Sequence, residues 1–188
     1  MPRYEIRLAG LGGQGIVLAG VVLGTAAAIF DQKRATQTQS YGPEARGGAC
    51  KSEVVISDDE IDYPKVEQPD LIGVMSQEAF DKYLGDLKPG GIVIYDPDMI
   101  LSLKEIKNAR MYAVPTVRMA EKIGRRIVAN MVMIGSVTAA SKMIDPKAVE
   151  KAILRFVPKG TEKLNLSAFN AGYDYTLKLM DEKNVRAS

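Results

Sequence analysis

The chain has 188 residues, 46% of them apolar, and a net charge of +2 with no histidine. That length and composition suit a single globular domain over residues 1–188 with a full core. A near-neutral balance without a basic face excludes nucleic acid as the natural partner, and the missing histidine excludes a Ser-His-Asp triad, a Cys-His pair and any His-ligated metal.

The amino terminus shows no signal-peptide pattern, so a cytoplasmic protein is expected. Over Arg3–Ala9, Tyr4, Ile6 and Leu8 alternate with charged residues, which is the period of a strand. Gly10-Leu11-Gly12-Gly13-Gln14-Gly15 follows, and then an apolar, alanine-rich stretch from Ile16 to Phe30 long enough for a helix. Strand, glycine turn and helix in this order suit a phosphate. Glycines let a ligand approach the backbone, and the first N–H groups of the helix point at whatever sits above the turn. Gly10, Gly12 and Gly15 satisfy G-x-G-x-x-G, with Gly13 as an extra glycine. A dinucleotide site also needs an acidic residue about 20 residues further on, at the end of a second strand. Asp31 stands near that distance, but Asp31-Gln32-Lys33-Arg34 carries no strand pattern. A P-loop fails because Ile16 stands where Lys would be required. The alternative to a ligand site is a tight turn that packs a helix on a sheet.

The helix at 16–30 has almost no polar side, and Ala19, Gly20, Gly24 and Ala26–Ala28 are small. It reads as buried under a sheet or by a partner subunit. Residues 31–48 are polar and irregular, shortened if Thr36–Ser40 forms a strand, and loops of that length are often functional. Ala49–Ser57 reads as a strand. Cys50, the only cysteine, allows no internal disulfide and no cluster held by this chain alone, and with no histidine to activate it reads as a small buried residue.

Leu71–Met75, Ile92–Tyr95 and Met111–Val114 are short apolar strands, alternating with helices at Gln77–Leu84, capped by Ser76, and Val117–Gly124. The alternation predicts an α/β fold whose largely parallel or mixed sheet is covered on both faces. Ile127–Ile144 is strongly apolar, but Asn130, Ser136, Thr138, Ser141 and Lys142 argue against a membrane span and for a buried or interface helix. Asp145-Pro146 opens a helix reaching about Phe156, and a last amphipathic helix covers Glu162–Asp181, leaving 182–188 as a frayed tail.

Two stretches together carry a family signature. One is Gly10–Gly15 with Ala19-Gly20 and Gly24 behind it; the other is Gln39-Ser40-Tyr41-Gly42-Pro43-Glu44-Ala45-Arg46-Gly47-Gly48, followed by Glu53–Ser57 and Asp62-Tyr63-Pro64. Over most of residues 3–144 the chain resembles the gamma subunit of the multisubunit 2-oxoacid:ferredoxin oxidoreductases, and its Tyr-Gly-Pro-Glu-Ala-Arg-Gly-Gly form resembles the 2-oxoglutarate branch. The resemblance implies a three-layer α/β/α domain without catalytic residues of its own. It further implies partner alpha and beta subunits, with or without a ferredoxin-like delta subunit, that hold thiamine diphosphate, magnesium and iron–sulfur clusters and pass electrons to ferredoxin. CoA would bind at or near this chain. Gly10, Gly12, Gly13, Gln14, Gly15 and Arg46 are the residues expected to meet it: the turn offers N–H donors, Gln14 a polar amide, and Arg46 a bidentate fork for a phosphate. The rival expectation is a free-standing nucleotide-binding reductase or regulatory module that uses the same turn with Asp31 as ribose ligand.

Overall fold

The computed structural model describes residues 3–41 and 47–187. Six strands form one sheet: β1 (Tyr4–Leu11), β2 (Arg34–Ser40), β3 (Ala49–Ser57), β4 (Leu71–Val74), β5 (Ile92–Tyr95) and β6 (Arg110–Ala113). Their order across the sheet is β2-β3-β1-β4-β5-β6. β1, β4, β5 and β6 are parallel neighbours, whereas β3 lies antiparallel between β1 and β2 and alone runs against the rest. The mixed α/β sheet expected from the alternation is therefore present, with the antiparallel element confined to β3.

Helices cover both faces. α1 (Ile16–Thr25) packs on β1 and β3; α2 (Gln77–Tyr83) lies on the opposite face, also against β1 and β3. The strands alternate accordingly. Ile6, Leu8, Leu71, Ile92 and Ile94 point into the larger core, and Ala9, Ile72, Val74 and Val93 into the smaller core under Phe80 of α2. α3 (Thr116–Ile123), α4 (Ala129–Ser141), α5 (Pro146–Phe156) and α6 (Glu162–Ala187) complete the larger face. Ser76 caps α2 through its hydroxyl, which accepts Ala79 N at 3.3 Å, and Asp145 caps α5 by accepting Lys147 N at 2.9 Å with Pro146 in the first turn.

Several boundaries differ from the sequence reading. The helix expected over 16–30 is α-helical only to Thr25 and widens into a π turn at Ala26–Phe30. The supposedly irregular 31–48 segment contains a full strand, β2, beginning at Arg34; its polar sequence hides it because one of its edges is open to solvent. α6 continues through Ala187, past Asp181 where the sequence places its end and into residues read as a frayed tail.

Of the two readings of the 127–144 stretch, a buried or an interface helix, burial holds over α4, while Ile127 ahead of it is 76% exposed. Every residue of α4 is buried within the chain. The sheet lies under α4 and α6 lies over it, and the two helices approach where a Cβ on Gly135 would overlap the Phe169 carbonyl oxygen and one on Gly172 the Val132 carbonyl oxygen. Ser136 Oγ donates across this contact to Gly172 O at 3.2 Å. The small residues of α1 serve the same end on the sheet: Gly20 leaves room for Ser52 and Gly24 for Gln37. Among the described residues no helix is long and apolar enough to cross a membrane.

Candidate functional site: a glycine turn between two clefts

β1 runs through Gly10 and Leu11 before the chain turns, and Gln14 N donates to Leu11 O at 3.1 Å to close the turn. Gly13 (φ +93°) and Gly15 (φ +74°) adopt left-handed backbone that favours glycine. Gln14 locks the arrangement: its Oε1 accepts Leu11 N at 2.7 Å and its Nε2 donates to Met75 O at 3.1 Å, tying the turn to the end of β4. The glycines differ in purpose. A Cβ on Gly10 would meet Gln14 and Ile16, and one on Gly15 would overlap Asn130, so both are packing positions. Gly13 faces open space, where a ligand can reach its backbone. The first bond of the α1 ladder runs from Ala19 N to Gly15 O at 2.9 Å, so the N–H groups of Ile16, Val17 and Leu18 precede it and carry the positive end of the helix.

The turn sits at the carboxyl edge of the sheet, between β1 and β4. From β1 the chain first builds β2 and β3 on one side and then crosses to β4, β5 and β6 on the other. This is the switch point at which open α/β sheets form a binding crevice. A crevice of about 290 Å³ opens there, lined by Gly13, Gln14, Met75, Val117, Arg126 and Ile127. A second cleft of about 360 Å³ lies on the other flank of the turn, reached from Gly13, Gly15, Arg125 and Ile127. Gly13 and Ile127 border both.

The second motif stretch arrives at the same place. Gly12 N donates to Gly48 O at 3.1 Å, and a Cβ on Gly12 would stand 3.4 Å from Gly47 N. The two signatures, which meet at Gly12 and Gly48, 36 positions apart in the chain, are thus packed against each other. Arg46 itself lies outside the described residues.

Asp31 falls at the wrong edge for a ribose ligand. It precedes β2, whose first residue Arg34 pairs with Ser57 at the amino edge of β1, opposite the glycine turn. Its carboxylate is engaged by Lys33 Nζ at 2.6 Å and Asp145 N at 3.1 Å. Cys50 is buried on β3 with its thiol pushed up by burial, so it fits neither a nucleophile nor a cluster ligand. An iron–sulfur cluster takes about four cysteines, and this chain's residues do not fit one.

Arg125 and Arg126 are the residues the sequence reading missed. Arg126 opens the short 3₁₀ segment Arg126–Val128 before α4 and Arg125 directly precedes it, more than a hundred residues from the turn. Arg126 lies 4.0 Å from Glu121, a loose surface pairing, and Arg125 makes no ion pair among the described residues. The signal available was the dibasic step directly after Gly124 at the end of α3.

A family model described as pyruvate ferredoxin/flavodoxin oxidoreductase matches residues 5–175. The 2-oxoglutarate synthase subunit KorC of Methanocaldococcus jannaschii is 55% identical, over 94% of this chain and 96% of that one. The gamma subunit of a keto/oxoacid ferredoxin oxidoreductase from Geobacter sulfurreducens superposes with a TM-score of 0.87 at 44% identity, covering 95% of this chain and 98% of that one. The 2-oxoglutarate:ferredoxin oxidoreductase of Magnetococcus marinus, solved with 2-oxoglutarate, coenzyme A and succinyl-CoA bound, shares the fold with a TM-score of 0.86 at 22% identity, over 95% of this chain and 32% of that longer one. By sequence and by fold, then, the chain belongs to the pyruvate ferredoxin/flavodoxin oxidoreductase family, as a gamma-type subunit similar to the 2-oxoglutarate synthase subunit KorC.

Proposed function

We propose that this subunit binds CoA for an enzyme that converts 2-oxoglutarate, CoA and oxidised ferredoxin to succinyl-CoA, CO2 and reduced ferredoxin. The observation that carries the reading is the open backbone of Gly13 at the switch point, with Arg126 on one flank and Arg125 on the other. Backbone N–H groups, a helix amino end and two guanidinium groups converge where the phosphates of CoA would lie. Arg46, next to Gly47 and Gly48 in the sequence, is carried over from the family signature as a further expected phosphate partner. Gln14 supports the turn from below, with one of its amide protons donated to Met75 O.

Carbon–carbon bond cleavage needs an electron sink and the oxidation needs an electron path. In this reading, thiamine diphosphate with its magnesium and the iron–sulfur clusters supply these from alpha and beta subunits, with or without a delta subunit. The present chain holds the acyl acceptor and abstracts no proton. The nucleotide-binding alternative loses its ribose ligand because Asp31 stands at the far edge of the sheet.

The test is the CoA dependence of ferredoxin reduction by the assembled complex. Gly13→Ala, Arg126→Ala and Arg46→Ala should each raise the CoA concentration needed for half-maximal rate. Losing a charge-assisted hydrogen bond is worth about 1.5–3 kcal/mol, or roughly ten- to a hundredfold for the arginines. The apparent affinity for 2-oxoglutarate should stay within about twofold, well under the ~1.4 kcal/mol of a tenfold change. Variants that assemble normally and keep their CoA affinity would leave the turn a packing device and move CoA elsewhere.

A further inference from the structure

β2 is a margin strand without the usual protections. Natural sheets blunt their edges with short strands, prolines, bulges or charges. The opposite margin follows that rule: β6 is four residues long and opens on Arg110. β2 has seven residues and pairs with β3 one for one, from Arg34 against Ser57 to Ser40 against Lys51, so it holds no bulge. Between Ala35 and Ser40 it has neither proline nor charge. Among the described residues no strand pairs with its outer edge. Such an edge presents a row of backbone N–H and C=O groups to a further strand.

The sequence of β2 selects a second copy of itself. Thr36-Gln37-Thr38 reads the same in both directions. An antiparallel copy related by a two-fold axis at Gln37 sets Gln37 opposite Gln37, Thr36 opposite Thr38 twice, and Arg34 opposite Ser40. A two-fold contact requires self-complementarity of this kind. Threonines opposite one another are favourable, and like charges opposite one another are not. The two Arg34 side chains then stand six positions apart along the strands, about 20 Å at ~3.4 Å per residue and beyond the ~10 Å screening length. A parallel pairing would bring them together. The faces are fixed in advance, because Gln37 donates to Ser52 Oγ at 2.8 Å beneath α1 while Thr36 and Thr38 lie on the other face of the sheet.

The apolar helix beside this edge adds a second observation. Val17, Val21, Gly24 and Ala28 follow one another at helical spacing along α1 and its π turn. A Cβ on Gly24 would stand 3.4 Å from Gln37 Cβ, and Ala28 borders a groove with Arg34, Ala35 and Thr36, so this flank lies along β2. Val17 and Val21 are half-buried and Ala28 is exposed. α1 thus has apolar surface left over at the margin where the strand has pairing capacity left over.

We propose that two copies of this chain join edge to edge through β2, with the Val17–Val21 flanks of the two α1 helices facing each other above the joined strands. The pairing does not depend on the CoA reading. β2 runs parallel to β1, so the two-fold axis sends the two glycine turns to opposite ends of the joined sheet and leaves both open.

Sedimentation of the purified full chain tests the pairing. The wild type should show the mass of two chains. Thr36→Lys/Thr38→Lys and Thr36→Glu/Thr38→Glu each oppose like charges at both threonine pairs, and each should show the mass of one chain. Mixing the two variants should restore the dimer, because every lysine then faces a glutamate. Cysteines read the register: a Thr36→Cys chain mixed with a Thr38→Cys chain should form a disulfide-linked dimer on mild oxidation faster than either chain alone. A wild type that remains a single chain up to the highest soluble concentration overturns the pairing and needs no variant to do so. Charge variants that fold and stay dimeric also overturn it, since the contact then lies elsewhere. Where the charge variants do not fold, the cysteine pair decides, and cross-linking no faster in the mixture than in either chain alone overturns the pairing.

Discussion

Arg7 shows how one residue can tie the sheet to the helix above it. Its side chain is 3% exposed on β1, donates to Glu53 Oε1 at 2.7 Å and to Tyr83 O at 2.8 Å, and forks onto Asp86 with Nη2 to Oδ2 at 2.8 Å. Burial alone would lower the Arg7 pKa, but the hydrogen bonds of Asp86 and Glu53 outweigh it and raise it. Burial likewise pushes the Asp86 carboxyl up, while Arg7 outweighs it and holds that group below its ordinary 3.8. A carboxylate with a depressed folded pKa contributes stability that is present above the ordinary pKa and is lost as pH falls through the depressed one. Acid unfolding below about pH 4 should therefore be shallower in Asp86→Asn than in the wild type, with the two converging in strong acid. Urea midpoints between neutral pH and pH 3 check this; an unchanged difference across that range would show that the pair titrates no stability. Arg7→Met should lower stability, by less than the about 3–5 kcal/mol of a buried charge left wholly unpaired, because Glu53 would keep only Lys51 and Asp86 would lose its fork. At this scale the sequence is legible where chemistry is local. The glycines at 10, 12, 13 and 15 announce a turn, and β1 with α1 around them confirms where it stands. Arg125 and Arg126 were not legible, because only the chain reversal between α3 and α4 carries them to Gly13. Asp31, near the spacing of a ribose ligand, shows a related limit: spacing along the chain does not say at which edge of the sheet a residue falls.

Among the elements, α4 and α6 decide how the large face closes. A helix apolar all round needs neighbours on every side, and the sequence alone could not tell a partner subunit from the chain's own α6. The information lay in Gly135 and Gly172, 37 positions apart in the chain, whose pairing exists only once both helices are folded. β2 was half-legible for the opposite reason. At the sheet margin it needs no continuous apolar run, so Arg34-Ala35-Thr36-Gln37-Thr38-Gln39-Ser40 looks like loop even though it pairs with β3 along its length. The crossing makes a sharp prediction. Alanine is favoured over glycine inside a helix by about 1 kcal/mol, yet a Cβ at Gly135 would overlap backbone of α6 that cannot move as a flexible side chain can. Overpacking of this kind costs about 1–3 kcal/mol. Gly135→Ala should therefore lower stability, by an amount reduced but not reversed by the helix preference. Chemical denaturation of the purified chain reads the sign, and a more stable variant would refute the close crossing.

For the whole molecule, the division between holding a ligand and transforming it follows from where its polar groups go. The buried carboxylates are engaged in holding the fold. Asp96 accepts Thr116 Oγ1 at 2.5 Å and the N–H groups of Val117 at 3.0 Å and Asp98 at 2.9 Å, which fixes the start of α3. Glu5 accepts the N–H groups of Glu67 and Gln68 at 2.8 and 2.9 Å, pinning the connection before β4. Glu53 is taken by Arg7 and Lys51. What faces the two clefts at the glycine turn is cationic, amide, hydroxyl or apolar, a set suited to binding phosphates but with no carboxylate or imidazole to serve as general base among those side chains. Because α4 is buried by α6 and the sheet of its own chain, this central helix needs no partner to cover it. The isolated chain should accordingly fold by itself, unfold cooperatively on heating, and protect the α4 amides from exchange more strongly than those of the 3₁₀ segment at Arg126–Val128. It should reduce no viologen when given 2-oxoglutarate and CoA, and activity should appear when the remaining subunits are added. Fast exchange throughout α4 in the isolated chain would show that the core depends on a partner after all, and turnover by the chain alone would overturn its assignment as a binding subunit.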